Sequence, residues 1–449
     1  MKGDFSRLTF DPAKQYSRVL MQQGRVQLDA DWNEQGDIFL HTLRTLAADL
    51  IGPFGGPEGA LGFEIKLEQA QGKLANLTIG EGRYYVDGLL GENPQDEVDY
   101  YKQPYLTVDP NDDKLPAPPL LVYLDVWERH ITYLVDDGIR EVALGGPDTA
   151  TRAQVVWQVR VTENDPEGKQ LEENAEIEKL WPDWLERWQP ADRGRLKARA
   201  KTGGDSTDPC LASPDARFRG AENQLYRVEI QWQEFGEDGR TSATVAFKWS
   251  RDNGSVVFAV RDLEGRVVHL ESLGRDEASG LKPGDWVEFV NDDSELAGPG
   301  PLLKVEEIDT ARRSVTLASP AEQTDPDLPS KPGDHALLRR WDHHPSPRAK
   351  NGPSPRGAVV YQFGDLDEQA WLDLEDGIQI QLQPGSYRSG DYWLIPARTA
   401  TGDVEWPGPP DDPQKVAPHG VQHHFAPLAF VKSGTVQDDL RKRFAGLAQ

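Results

Sequence analysis

The chain has 449 residues, enough for about three domains of ordinary size, so a single small domain is excluded. Lysine and arginine total 49 against 75 aspartates and glutamates, a formal charge of −26. Nucleic-acid phosphates and anionic membrane surfaces would repel such a chain, and neither is an expected partner.

The single cysteine, Cys210, excludes an internal disulfide and any thiolate metal cluster. Met1-Lys2-Gly3-Asp4-Phe5 lacks the apolar core of a signal peptide, and no stretch approaches the ~18 apolar residues of a membrane span. The expectation is cytosolic synthesis and a soluble product, exported by a non-classical route or as part of a particle. The 42 glycines and 34 prolines are above the usual share and favour short strands joined by turns.

Residues 1–30 read as an extended lead-in. Asp31-x-x-Glu34 resembles a capping box, with Asp in place of Ser or Thr. Phe39, Leu43, Leu46 and Leu50 follow at helical spacing, and Gly52-Pro53 stops the pattern. The spacing predicts an amphipathic helix over about 32–51. A stripe of this kind ordinarily packs on its own domain. The alternative is that helix and lead-in dock on a neighbouring subunit, with Phe10, Leu20, Val26, Leu28, Asp31, Trp32, Asn33, Phe39, Leu43, Leu46 and Leu50 as the contact residues.

Alternation with a period of two takes over beyond the helix. Leu77-Ile79 and Tyr84-Val86 flank Glu81-Gly82, which reads as a hairpin, and Asp87-Gly88 ends the second run. Val122, Leu124 and Val126 alternate, as do Val155, Trp157, Val159 and Val161. Residues 163–209 break the rhythm: Leu180, Trp184, Leu185 and Trp188 form a short helical face, and pattern is lost after Pro190. Alternation returns at Tyr226, Val228, Ile230 and Trp232, then at Val245, Phe247 and Trp249. Asn253-Gly254 is a strong hairpin signal between that run and Val256-Val257-Phe258. A Gly-Asp formula recurs at 282–286, 331–335 and 389–393, each time before an apolar run, as a positive-φ turn feeding a strand would require. Residues 240–320 suggest a small barrel, 345–356 a joint, and Ile378–Leu382 and Tyr392–Ile395 two late strands.

The expected fold is therefore mainly β: several small antiparallel sandwich- or barrel-like modules, one N-terminal amphipathic helix and a helical insertion. The expected boundaries are an arm and helix at 1–52, a β domain at 53–162, the insertion at 163–215, a barrel-like domain at 216–345 and a C-terminal β module at 346–449.

Chemistry is sparse. There is no phosphate loop, nucleophile elbow or zincin motif. His343, His344, His419, His423 and His424 are weak metal candidates, because neighbours on a strand point to opposite faces. A structural histidine network is the favoured reading. Trp371, Trp393 and Trp406 lie near Asp373, Glu375, Asp376, Asp403 and Glu405, which suits a carbohydrate platform or a turn-capped β core, the latter favoured. No catalytic constellation stands out, so no enzyme activity and no cofactor are expected.

Several stretches resemble a known family. They are Met1–Phe5 with Thr9–Pro12, residues 19–35 (VLMQQGRVQLDADWNEQ), 219–230, 247–254, and 390–407 with 419–427. They are similar to a bacterial family of uncharacterised function, often encoded among contractile phage-tail-like injection systems. Gly24, Asp29 and Trp32-Asn33-Glu34 also resemble the N-terminal docking segments of baseplate and fibre-type proteins. The resemblance implies a non-enzymatic structural component near the baseplate or spike, anchored by residues 1–51. Its implied partners are baseplate, spike or tube proteins and further copies of itself in a trimer or hexamer, in an extracellular or cell-bound particle. The alternatives are a particle-carried cargo or effector, or a tail protein that binds or cleaves a target-surface glycan.

Overall fold

The computed structural model describes residues 1–70, 73–106, 114–201, 217–236, 241–274, 279–318, 328–343, 357–363, 371–432 and 437–446. Cys210, His344, the joint at 345–356 and the distal part of the expected insertion lie outside the described residues.

The first helix, α1, runs Asp29–Ile51 and begins before the expected position. Asp31 is its third residue, not its cap, and its carboxylate accepts the Leu28 amide at 3.4 Å. An acid placed there meets the free N–H groups of the first turn.

The first sandwich packs two sheets face to face. One holds Ile65–Ala70, Lys73–Val86, Phe54–Pro57 and Arg443–Phe444 in that order, with Leu89–Asp99 also on Lys73–Val86. The other runs Gln437–Asp439, His424–Val431, Leu120–Ile131, Arg152–Thr162. Ile79, Tyr84 and Val86 from one sheet meet Val122, Leu124, Val126 and Leu428 from the other. The alternate residues Leu121 and Tyr123 point outward and are covered by α2, Ile177–Trp188, through Trp181 and Trp184. Leu120–Ile131 is thus buried on both faces, which explains the unbroken apolar run at 120–124.

Glu81-Gly82 is not a hairpin turn. Lys73–Val86 is one strand with a register shift between Gly80 and Gly82, and Gly82 (φ 125°) lies so close to Gly62 that a Cβ would stand 2.7 Å from its Cα. The turn is Asp87-Gly88, whose φ values of 47° and 81° match the primed turn that suits strand twist.

The second sandwich faces Leu372–Asp373, Ile378–Gln383 and Arg195–Ala200 against a sheet of Val359–Gln362, Ser242–Ser250, Gln224–Phe235, Tyr392–Arg398 and Asp403–Val404. Arg195–Ala200 falls in the stretch expected to be patternless. Leu196, Ala198 and Ala200 alternate inward against Arg195, Lys197 and Arg199, a rhythm muted by the small alanines.

A closed barrel follows: Val257–Glu264, Val267–Leu270, Ser314–Ala318, Leu302–Asp309, Trp286–Val290 and Leu337–Trp341, the last pairing back to the first. It therefore closes with a strand beyond residue 320. Gly284, Gly333 and Gly390 have φ of 99°, 75° and 86°, the positive values expected of the recurring Gly-Asp turns. The short helix α3, Asp292–Ala297, is clasped to the first sandwich by Arg129, which reaches Asp292 at 2.6 Å and Glu295 at 2.8 Å.

Two expectations need correction. The C-terminal residues do not close into a module of their own: Val359–Gln362, Ile378–Gln383 and Tyr392–Arg398 join the second sandwich, and His424–Val431 returns to pair with Leu120–Ile131. Alternation identifies a strand but carries no information about a distant partner. Asn253-Gly254 has turn dihedrals (φ 52° and 66°), yet it links a sandwich strand to a barrel strand, and the strands it joins pair elsewhere.

Candidate docking surface

Residues 1–28 form an extended arm, interrupted by one 3-10 turn at Pro12–Lys14. Its tip is inserted into the body. The Met1 amino group donates to the Tyr392 hydroxyl at 2.7 Å. The Asn253 carboxamide donates to the carbonyls of Met1 (3.2 Å) and Gly3 (2.8 Å), and Arg227 donates to Met1 at 3.3 Å. Lys2 stands 3.1 Å from Glu229, a buried carboxylate that also meets Arg227 at 2.6 Å and Lys248 at 3.3 Å. Lys248, fully buried, reaches Glu288 at 2.8 Å and lies 4.5 Å from the Trp341 ring centroid. Burial alone would raise Glu229; the charges of Lys2, Arg227 and Lys248 outweigh it and hold the group below the usual carboxylate range. Burial, reinforced by Arg227 and Lys2, pushes the Met1 amine down to about 4.

This socket joins three bodies. Arg227, Glu229, Lys248 and Tyr392 belong to the second sandwich, and Glu288 and Trp341 to the barrel. Phe5 packs edge-on against His130 of the first sandwich at 6.1 Å. Burial first, then the neighbouring cations, pushes His130 down to about 3. The sequence signal for the socket lay in Arg227, Glu229 and Lys248, charged residues embedded in buried apolar strands. Such residues persist inside only when paired.

Beyond the tip, the arm lies along α1. Ser6 donates its amide to Asp29 at 2.9 Å, Thr9 donates its hydroxyl to Glu34 at 2.6 Å, and Val19 donates its amide to Gln35 at 2.8 Å. Ala30 and Ile38 are the buried residues of the helix, and an Arg44–Glu128 pair at 2.7 Å ties it to the first sandwich. Gly88 supports it from below: a Cβ there would lie 2.2 Å from the Arg44 carbonyl oxygen.

The apolar stripe of α1 faces away from the body. Trp32 is 80 % exposed, Phe39 62 %, Leu43 63 %, Leu46 53 % and Leu50 61 %. On the arm, Leu20, Val26 and Leu28 are exposed as well, with Tyr16 and Met21 beside them. The expectation that the stripe packs on its own domain is overturned, because Ala30 and Ile38 on the opposite side already supply that contact. Phe10, Asp31 and Asn33 are half-buried; Phe10 packs against His41 at 5.6 Å.

The other candidates do not converge. Among the described residues no group of three or more His, Cys, Asp or Glu could hold a metal ion. His343 is buried with Nε2 2.8 Å from the Gly357 carbonyl and its ring stacked on Trp286. His419 is exposed, with its ring centroid 5.5 Å from that of Tyr392. His423 and His424 bond to different carboxylates, Asp125 at 2.7 Å and Asp87 at 2.9 Å. The tryptophans form no platform: Trp393 has no exposed surface and donates to the Val416 carbonyl at 3.0 Å. Trp371 lies under Arg199 at 3.9 Å, and Trp406 donates to the Gln414 carbonyl at 2.9 Å. Glu375 accepts from the Tyr226 hydroxyl at 3.2 Å and pairs with Arg251 at 2.8 Å. Burial lifts Glu375 to about 7, although Arg251 opposes the shift. Both of its oxygens are engaged by the chain itself, so it reads as a titratable joint.

These features define a multi-body β protein with an arm clamped at its tip and an arm-and-helix face left bare. No helix among the described residues is long and apolar enough to cross a membrane. The chain belongs to the family of unknown function DUF6519, whose sequence profile matches residues 1–183 and 190–448. Neither the curated proteins nor the solved structures contain a match.

Proposed function

We propose that this protein is a non-enzymatic structural component of a contractile, phage-tail-like injection particle, held near the baseplate or spike by residues 1–51. The observation that carries the reading is the uncovered apolar face of α1. Exposed apolar patches of this size on soluble proteins mark interaction sites. The face begins at Trp32, within the 19–35 stretch that resembles baseplate docking segments, and the exposed Leu20, Val26 and Leu28 of that stretch adjoin it. The tip socket supports the same reading, since a docking element transmits position only when fixed to a stiff body. The glycan alternative loses Trp393, the centre of its platform, to the core of the second sandwich.

The test substitutes the face rather than deleting the arm, because residues 1–5 hold the bodies together. Particles are purified from cells expressing either the unaltered chain or Leu43→Glu/Leu46→Glu. The unaltered chain should co-purify at fixed stoichiometry and the variant should be lost, with unchanged circular dichroism. A variant retained at full stoichiometry would refute docking through α1.

A further inference from the structure

Trp32, Gly36, Phe39, Leu43, Leu46 and Leu50 succeed one another at spacings of four, three, four, three and four residues. This is the a/d repeat of a helix that packs against another helix along a seam. Among the described residues, nothing covers it.

Gly36 adds an independent observation. It lies in the interior of α1, where glycine costs about 1 kcal/mol relative to alanine. A Cβ at this position would meet no atom of the described residues within 4 Å, so none of their packing demands the glycine. A hole beside Trp32, one turn away on the same seam, is what a facing helix needs to receive a large ring.

Charge narrows the occupant. The seam is flanked by Asn33, Leu40 and Ala47 on one side and by Gln35, Thr42 and the exposed Asp49 on the other. Other acidic and basic residues nearby turn elsewhere: Glu34 to Thr9, Arg44 to Glu128, Asp31 to the Leu28 amide. Two copies of a chain carrying −26 repel over most of their surface, and this strip, whose flanks carry a charge only at Asp49, is where they can approach. The exposed seam side chains, with Leu40, amount to roughly 700 Å² per copy, close to the ~800 Å² that each partner contributes to a standard stable interface.

We propose that the seam of α1 is covered by α1 of a second copy of this chain. The proposal rests on the reading of α1 as a docking surface and names its occupant. Attachment to other particle proteins then depends on the paired helices, which present two arms together, each with Leu20, Val26 and Leu28 beside the exposed cations Arg18 and Arg25.

The test is sedimentation velocity of the full chain from 1 to 50 µM, with a monomer mass of 50.1 kDa as reference. The unaltered chain should sediment as a multiple of that mass. Leu43→Glu/Leu46→Glu should weaken association on the order of 100-fold or more, leaving monomer across the range. Gly36→Leu should also dissociate the assembly while raising the thermal midpoint of the monomer, since leucine favours helix. A monomeric unaltered chain, or a Gly36→Leu variant that associates normally, would overturn the proposal. If the unaltered chain is monomeric yet the double variant drops out of particles, docking stands and self-association alone falls.

Discussion

Asn253→Gly isolates the bond between arm and body. Asn253 has φ 52°, a conformation glycine adopts freely, so the backbone is not strained by the change. Three hydrogen bonds disappear: two donated to the carbonyls of Met1 and Gly3, and one accepted from Arg227 at 3.2 Å. Neither carbonyl is orphaned, because Met1 keeps Arg227 and Gly3 keeps the Phe5 amide at 3.0 Å. The loss therefore stays near ~1 kcal/mol per bond, or about 2–3 kcal/mol in all, and appears first as detachment of the tip. About 2 kcal/mol is a roughly 30-fold rise in the detached population. Hydrogen–deuterium exchange read by mass spectrometry should show the amides of residues 3–6 exchanging faster by that factor. Strand amides of the barrel should be little changed. Exchange at 3–6 that matches the unaltered protein would refute the idea that Asn253 holds the tip.

Three further outcomes follow from the same contacts. Lys248→Met leaves Glu229 and Glu288 buried with fewer counter-charges and should cost about 3–5 kcal/mol in urea unfolding, with partial recovery on adding Glu288→Gln. Glu375, lifted to about 7, keeps its proton in the folded chain over a range where the unfolded chain, titrating near ~4.5, has lost it. Stability from this group therefore falls as pH rises from about 4.5 to 7, and Glu375→Gln should gain roughly 1–3 kcal/mol over the unaltered chain at pH 8 and little at pH 4.5. His130, held neutral down to about 3, works in the opposite sense: the unfolded chain takes up a proton below about 6.5 and the folded one does not. Acidification from pH 6.5 toward 4 should lower the thermal midpoint, and His130→Phe should flatten that slope.

The β character and many strand positions could be read from residue pattern alone, because burying one face of a strand forces a period of two. Val122, Leu124 and Val126 show this directly, and the positive-φ glycines at 284, 333 and 390 were demanded by their turns. Pairing was not legible. His424–Val431 and Leu120–Ile131 are separated by nearly 300 residues, and alternation cannot name a partner. Asn253 illustrates a subtler limit. Its left-handed turn was evident, but the carboxamide is used to grip residues 1–3 rather than to close a hairpin. For α1, the stripe was legible and its direction was not: period gives an apolar face, and only the placement of Ala30 and Ile38 determines that the other side meets the body.

The grip on the amino-terminal residues has a consequence for synthesis. Tyr392, which receives the Met1 amine, is nearly the last part of that site to leave the ribosome. Until it emerges, the adhesive leading segment has no seat and hangs free of an unfinished trunk. Chains broken off before Tyr392 would carry residues 1–5 without their full socket. Emergence of Tyr392 and seating of residues 1–5 are thereby coupled.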